Sequence, residues 1–276
     1  MVLDIYLPAF FIFLYGLVIG SFLNVVIHRL PRGKGVVKGG SACPGCGVAI
    51  HWYDNIPLVS YLLLRGKCRA CGEPISARYP AVELLTAMLF VAIYLKLAFS
   101  GAPFSGLAAT WSLPWILRLL AYLWFGAALV AVAFIDAEHR LIPNKITIPT
   151  FAVGIVLLLA ADLNAWLPIS LGVLAGGGIP LLLWLISPLI FKQQGMGMGD
   201  VKLGVVMGVF LGWQLVLVAI FLAALTGSLY GLPKMFGSKE RRRQAFPFGP
   251  FLAAGALLSF FVGAPLIMWY LGLFNL

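Results

Sequence analysis

Two aspartates stand at the edges of long apolar segments, and their placement is the first sign of chemistry in the sequence. Asp136 comes at the end of one apolar run, and Asp200 comes at the start of another, just after glycines at positions 195, 197 and 199. Glycine permits backbone conformations closed to other residues and lets another chain approach closely. Because ionisable groups at membrane depth are rare and by default mark functional sites, the sequence predicts a site built on both aspartates.

Paired aspartates suit one reaction particularly well. Two carboxyl groups held a few Å apart share a proton, since like charges resist simultaneous ionisation. One group then accepts a proton from water while the other donates a proton to the carbonyl that is attacked, which is aspartic proteolysis. Two other interpretations stay open at this point. The aspartates could be solvated helix-end residues, or they could form a proton or ion relay in a transporter.

The elements that must position these aspartates are membrane helices. The chain is 62% hydrophobic and only 10% charged, which is far more apolar than an ordinary soluble domain. Long unbroken apolar runs predict helices, because a helix satisfies its own backbone hydrogen bonds in lipid and crosses the membrane with about 20 residues. We predict an all-α polytopic membrane protein with about eight transmembrane helices. The predicted spans are 8–29, 80–99, 115–135, 146–164, 168–191, a short one at 203–212, 215–232 and 250–272.

The positive charge sorts to one side of the predicted topology. Counting Arg29, four loops hold 17 of the 19 Lys and Arg residues, which leaves only Lys96 and Arg118 on the other side. The positive-inside rule then predicts that these loops are cytoplasmic and that the N-terminus is outside. The net charge of +10 therefore needs no nucleic-acid partner, and the basic run at 239–243 is typical of an anchor to anionic membrane lipid. The four loops are 30–79, 136–145, 192–202 and 233–249.

The loop at 30–79 holds all four cysteines, in two Cys-x-x-Cys pairs separated by 21 residues. This spacing is typical of a zinc ribbon, in which each short turn points two thiolates at one ion. Disulfides or unrelated thiols are the alternative, but disulfides are uncommon on the reducing cytoplasmic side. A four-thiolate site is coordinatively closed, so we predict a structural zinc that stabilises a small domain with little core of its own. The predicted ligands are Cys43, Cys46, Cys68 and Cys71; His51, between the pairs, is the other conceivable ligand.

Several motifs resemble those of the type IV prepilin leader peptidase family, and the resemblance covers nearly the whole chain. The residues at 20–31 resemble the family's opening, and the cysteines with Asp54-Asn55-Ile56-Pro57 resemble its cytoplasmic domain. Two further motifs match its catalytic aspartates, and one matches a late motif. These are Asp136 with Ile142-Pro143-Asn144, Gly197-Met198-Gly199-Asp200, and Phe248-Gly249-Pro250-Phe251.

The resemblance implies a bifunctional enzyme of the bacterial inner membrane that serves type IV pili or type II secretion. Such an enzyme cuts the basic leader from a prepilin or pseudopilin on the cytoplasmic side, with Asp136 and Asp200 as the catalytic dyad. It then methylates the new N-terminal amine using S-adenosylmethionine. The expected segments are a first transmembrane helix at 1–29, a cytoplasmic cysteine domain at 30–79 and a transmembrane peptidase domain at 80–276.

The site for the methyl donor stays open in the sequence. No glycine-rich nucleotide-binding loop follows a strand pattern, so the donor-binding residues are unknown. Gly66, Lys67 and Glu83 are candidates without a motif behind them. Glu83 lies one turn inside the second predicted span, where it either pairs with Arg78 near the membrane boundary or takes part in function.

Overall fold

The computed structural model describes residues 3–36, 40–100, 112–191, 197–235 and 247–273. Within these ranges the chain is helical, with two isolated β-bridges and no strand. Seven helices are long and apolar enough to cross a membrane. These observations confirm the predicted class, an all-α polytopic membrane protein. The chain divides into two units, Met1–Trp111 and Ser112–Leu276.

The first unit contains two long helices and a small polar segment between them. The helices are α1 (Leu3–Arg29) and α3 (Arg78–Ser100), and the segment between them includes a 3-10 turn at Trp52–Asn55 and the short α2 (Val59–Leu63). Glycines on α1 let the two long helices pack closely, because a side-chain carbon at Gly16 would lie 2.6 Å from the Cα of Ala87. Gly20 faces Glu83 in the same way one turn further along, so α1 and α3 run antiparallel.

The second unit is a bundle of five long helices. They are α4 (Leu113–His139), α5 (Asn144–Ala161), α6 (Trp166–Phe191), α7 (Met198–Met235) and α8 (Gly249–Gly272). Buried residues of α4, α7 and α8 form the core, among them Phe125, Leu129, Leu203, Met207 and Leu252. Burying this apolar surface holds together the helix ends that carry the two predicted aspartates.

Helix α6 packs against α7 through glycines, which allow the backbones to approach closely. A side-chain carbon at Gly172 would overlap the carbonyl oxygen of Gly208, and one at Gly176 would overlap that of Gly204. The sequence places Gly176 in a run of three glycines, for which packing is the expected role. The structure confirms this role for Gly176.

The predicted short span at 203–212 and the next one at 215–232 are the two halves of α7, so seven long helices appear where about eight spans are predicted. Gly212 separates the halves with a non-helical conformation, φ 70° and ψ 176°. Gly176 faces both Gly204 and Val216, one from each half, so the chain turns back at Gly212. The reversal brings α7 back to the end of the unit where Asp136 and Asp200 lie.

Candidate active site and four-cysteine cluster

Asp136 lies in the last turn of α4 and is only 5% exposed. The helix ends here because Arg140 takes a left-handed conformation, from which its N–H still donates to the Asp136 carbonyl oxygen at 2.8 Å. The carboxylate itself accepts a hydrogen bond from the backbone N–H of Gly249, 2.8 Å from Oδ2. Gly249 is the first residue of α8, so the amino end of that helix faces the carboxylate.

Asp200 lies in the first turn of α7 and is 8% exposed. Its Oδ2 accepts a hydrogen bond from the N–H of Gly197 at 3.1 Å, and its own N–H donates to the Gly197 carbonyl at 3.1 Å. An acidic side chain that reaches back in this way is half of a capping box. A carboxylate is also favoured at a helix amino end, because the peptide dipoles point their positive ends there.

The loop between α4 and α5 follows Asp136 and packs against the start of α7, beside Asp200. A side-chain carbon at Gly199 would lie 3.0 Å from the Cβ of Ile142, so a larger residue at position 199 would push α7 away from this loop. Lys202 also reaches across, and its Nζ donates to the Asn144 side-chain oxygen at 2.9 Å. The structure thus packs the start of α7, which carries Asp200, against the connection that follows Asp136.

In each aspartate, one of the two carboxyl oxygens remains available to take part in a reaction. Within the described ranges, each carboxylate accepts one hydrogen bond from a backbone N–H, and each uses Oδ2 for it. The other oxygen of each group has no partner there, so each carboxyl group can still bind a water molecule. Paired carboxyl groups of this kind can activate water on one side and protonate a carbonyl on the other.

Gly249 is the site residue whose contribution the sequence did not reveal. The N–H that Gly249 donates to Asp136 comes from a residue 113 positions away in sequence. The resemblance of Phe248-Gly249-Pro250-Phe251 to a family motif is the signal that could have pointed to it.

Replacing Gly249 with alanine should disturb Asp136 without removing a carboxylate. The added carbon would lie 2.7 Å from Oδ2 and 2.9 Å from Cγ of Asp136, so the carboxylate must move. We expect Gly249→Ala to reduce peptidase activity by about 10- to 100-fold, since displacement by about 1 Å can cost that much. Gly231→Ala is the matched control, because nothing lies within 4 Å of a side-chain carbon there. Equal activities of the two variants in an initial-rate assay would contradict this positioning role.

The four cysteines converge in the first unit. Their Sγ atoms all lie within 4.8 Å of one another, and those of Cys43 and Cys71 are 3.8 Å apart. A tetrahedral zinc with zinc–sulfur distances of about 2.3 Å places its thiolates about 3.8 Å apart. The residues present therefore fit a zinc ion.

Local sequence explains why both pairs form the same turn. Each Cys-x-x-Cys is followed by a glycine, Gly47 or Gly72, with φ near +72°. The N–H of each glycine donates to the carbonyl of the first cysteine of its pair at 2.9 Å. Glycine adopts this conformation without the strain that a side chain would bring. The two turns are thus prescribed by the sequence around each pair.

The thiols of the cluster differ in acidity. The backbone N–H of Cys71, followed by that of Ala70, lowers the pKa of Cys68 to about 7, so this thiol readily becomes a thiolate. The pKa of Cys71 is about 12: the backbone N–H of Glu73 lowers it, but loss of hydration and the neighbouring thiols outweigh that effect. Four thiolates crowded together repel one another, and a bound divalent cation would relieve this repulsion.

Asp54 and Arg69 fasten the loop between the cysteine pairs. Arg69 Nη2 lies 2.7 Å from Asp54 Oδ1, and Arg69 Nε lies 2.9 Å from Oδ2, so the ion pair is bidentate. The hydrogen bond from Arg69 holds the pKa of the Asp54 carboxyl below its usual value. His51 stacks on the ring of Tyr53 with centroids 5.2 Å apart and does not belong to the four-ligand group of the described residues.

Comparison with known proteins identifies relatives of both units. A family model described as the bacterial peptidase A24 N-terminal domain matches residues 14–97. A second one, described as the type IV leader peptidase family, matches residues 123–232. No solved structure matches the chain.

Three curated relatives named prepilin leader peptidase/N-methyltransferase are similar to nearly the whole chain. The protein from Aeromonas hydrophila is 35% identical, over 94% of this chain and 92% of its own length. The one from Legionella pneumophila is 32% identical, over 94% and 93% respectively. The one from Dichelobacter nodosus is 35% identical, again over 94% and 93%. The similarity therefore spans both units.

Proposed function

Because the chain belongs to the type IV leader peptidase family, we propose that it removes the leader from prepilins or pseudopilins and then methylates the new N-terminus. It is a multi-pass inner-membrane peptidase with methyltransferase activity. The finer parts of the proposal are the catalytic residues, the side of the membrane, the methyl donor and the role of the metal.

One observation supports the peptidase mechanism above the others: two buried carboxylates, each held by one backbone N–H, lie at helix ends that pack together through the connection between α4 and α5. Asp136 and Asp200 are the catalytic residues of this proposal. One aspartate takes a proton from water as the oxygen attacks the scissile carbonyl, while the other protonates the carbonyl oxygen. When the tetrahedral intermediate breaks down, a proton passes to the leaving amine and the peptide bond is cut.

The topology of the proposal follows from the charges. The basic loops face the cytoplasm and the N-terminus lies outside, so the cysteine domain and both aspartates are on the cytoplasmic side. A prepilin with its apolar helix in the bilayer and its basic leader in the cytoplasm presents the bond between them at this depth. The substrate thus reaches the aspartates without leaving the membrane.

Zinc has a structural role in the proposal. Cys43, Cys46, Cys68 and Cys71 would hold the ion in a closed four-thiolate site, which leaves no position for water or substrate. The bound ion supplies coordination energy that stabilises the small cytoplasmic domain. No step of peptide cleavage passes through it.

The second activity transfers a methyl group from S-adenosylmethionine to the amine that cleavage releases. We do not assign the sequence candidates Gly66, Lys67 and Glu83 to the binding site for the methyl donor. Gly66 has a φ of +67° and donates its N–H to the carbonyl of Tyr61, so the turn itself accounts for this glycine. Lys67 is exposed beside Cys68. Glu83 is buried where α1 and α3 pack together.

Mass spectrometry of a prepilin incubated with the purified protein in lipid tests the proposal. We expect loss of the leader, followed by one methyl increment that depends on added S-adenosylmethionine. Leader loss without methylation, in the presence of the donor, would contradict the methyltransferase part of the proposal and leave the peptidase part standing. No cleavage by a folded sample would favour the alternative, a transporter that uses the aspartates as a relay, and ion-dependent uptake into vesicles would then be measured.

A further inference from the structure

A second buried polar cluster lies in the first unit, where α1 and α3 pack together. Asn24 on α1 is 2% exposed and Glu83 on α3 is 7% exposed. Gly20 packs against the backbone of Glu83, and Asn24 follows one turn later, beside Tyr79. Because the helices are antiparallel, Asn24 and Glu83 occupy neighbouring turns of one interface.

Glu83 is a buried carboxylate without a cation beside it among the described residues. Its Oε2 accepts a hydrogen bond from the N–H of Leu58 at 2.9 Å, and the hydroxyl of Ser21 donates to the same group. No Lys, Arg or His of the described residues pairs with it, and Arg78 instead places its guanidinium over the ring of Tyr79. The sequence-based pairing of Glu83 with Arg78 is therefore not what the structure shows. A buried carboxylate normally has a positive partner, because leaving water is costly for a charge.

The side-chain oxygen of Asn24 is a second buried acceptor, and no hydrogen-bond donor among the described residues reaches it. Its Nδ2 donates to the carbonyl of Tyr79 at 3.0 Å, which fixes the orientation of the amide. Among the described residues no donor reaches its Oδ1, although the atom is buried. A buried polar atom without a partner calls for an explanation, because it has given up its hydrogen bonds to water without replacing them. An unused amide oxygen one helical turn from an unpaired carboxylate suits a ligand that carries several N–H donors and a positive charge.

We propose that Asn24 and Glu83 bind the new N-terminal ammonium group of the cleaved substrate and that Glu83 takes a proton from it before methyl transfer. This inference rests on the proposed function and assigns residues to its second step. Glu83 lies five residues after the start of α3, inside a membrane helix. A substrate whose apolar helix stays in the bilayer after cleavage carries its new amine at membrane depth, whereas the methyl donor is a water-soluble molecule.

The chemistry requires a base. An ammonium nitrogen has no lone pair, so one proton must leave before the nitrogen can attack; Glu83 accepts that proton while Asn24 Oδ1 holds another N–H. The amine lone pair then forms the N–C bond, the S–C bond of the sulfonium donor breaks, and its electron pair stays on sulfur. The methylated amine is again positively charged, and the donor leaves as a neutral thioether.

A zero-length crosslink tests binding without relying on methylation. The full-length protein in lipid nanodiscs is mixed with a synthetic mature peptide that has a free N-terminus and is treated with a carbodiimide, without methyl donor. The reagent activates a carboxylate, and an amine held against it displaces the reagent to form an amide. We expect mass spectrometry to find the peptide N-terminus joined to Glu83, and no such product with an N-acetylated peptide. Crosslinks to other carboxylates with none at Glu83 would overturn the proposal.

Methyl transfer to the same free-amine peptide provides the second measurement, since it bypasses cleavage. We expect Glu83→Gln to slow the transfer by about 100-fold, as loss of a general base does, and Asn24→Ala to raise the KM for the peptide. The rate of the Glu83→Gln variant should recover as pH rises through the pKa of a free α-amine, about 8, because water then removes the proton. Thr86→Val is the matched control: it removes a buried hydroxyl that, among the described residues, donates to the carbonyl of Val82 within α3.

The remaining outcomes separate this inference from its rivals. Donor binding by equilibrium dialysis and prepilin cleavage should both be unchanged in Glu83→Gln. Loss of donor binding would mean that the cluster holds the ammonium group of the donor, and equal loss of cleavage and methylation would mean that it is only structural; both overturn the assignment. Normal methylation by Glu83→Gln would do the same. A wild-type protein that cleaves but never methylates would overturn the transferase half of the proposed function itself.

Discussion

Asp136→Asn and Asp200→Asn are each expected to reduce leader cleavage by about 1,000-fold or more, since an amide can neither accept nor deliver the proton of the reaction. Asparagine has the shape of aspartate, and its Oδ1 can still accept the hydrogen bond from Gly249 or Gly197. The helices therefore keep their arrangement while the shared proton is lost. Because the two groups act as one unit, the double variant should be hardly slower than either single variant.

Asp162→Asn is the matched control for this experiment. Asp162 follows the end of α5, where it accepts the N–H of Asn164 and lies 3.5 Å from Arg118, and its side chain is 43% exposed. The same change of charge there should leave cleavage within about twofold of wild type, because exposed ion pairs contribute little. Initial cleavage rates are compared at equal amounts of folded protein. Substantial cleavage by Asp136→Asn or Asp200→Asn would remove that aspartate from the mechanism.

Replacing Cys43 and Cys46 together with serine should abolish zinc binding and unfold the small domain that holds the four cysteines. Two thiolates cannot complete the tetrahedron, and in small zinc domains the free energy of metal binding is largely the free energy of folding. We expect about one zinc per chain in the wild-type protein and none in the variant, by elemental analysis of purified samples. Limited proteolysis should then cut the variant within residues 40–77 and spare the helices on either side.

His51→Ala is the control for the metal site. His51 is exposed and stacks on Tyr53 outside the cysteine cluster, so its replacement should leave the zinc content unchanged. A fall in zinc content for His51→Ala would show that the histidine is a ligand after all. Wild-type protein purified without chelators and found free of metal would contradict the zinc proposal.

Much of the fold is visible in the sequence because it depends on local properties. A run of about 20 apolar residues is a membrane helix wherever it packs, since only a helix satisfies its backbone in lipid. Each Cys-x-x-Cys pair carries its own turn glycine, Gly47 or Gly72, and the spacing of the pairs brings four thiols together. Asp136 and Asp200 stand out for the same reason, because a carboxylate at the end of an apolar run is costly unless it has a use.

The sequence predicts a reversal between the spans at 203–212 and 215–232, but it does not single out Gly212 as the residue that makes it. Glycine is frequent in membrane helices, where it serves close packing, so its presence does not reveal a break. The contacts of Gly176 with both halves of α7 show that the chain turns back at Gly212. The spans predicted at 203–212 and 215–232 match the two halves of α7. The sequence does not predict that a single non-helical residue, Gly212, separates them.

The sequence by itself determined the membrane helices, the cysteine cluster and the two aspartates, since each rests on residue type and on spacing along the chain. The tertiary structure decided which groups surround them: Gly249 donates to Asp136 across 113 residues, and Leu58 donates to Glu83 across 25. It also decided that Asn24 Oδ1 is buried without a donor among the described residues. A hydrogen bond between distant residues depends on how the helices pack and rotate against one another, and no local pattern in the sequence records that packing.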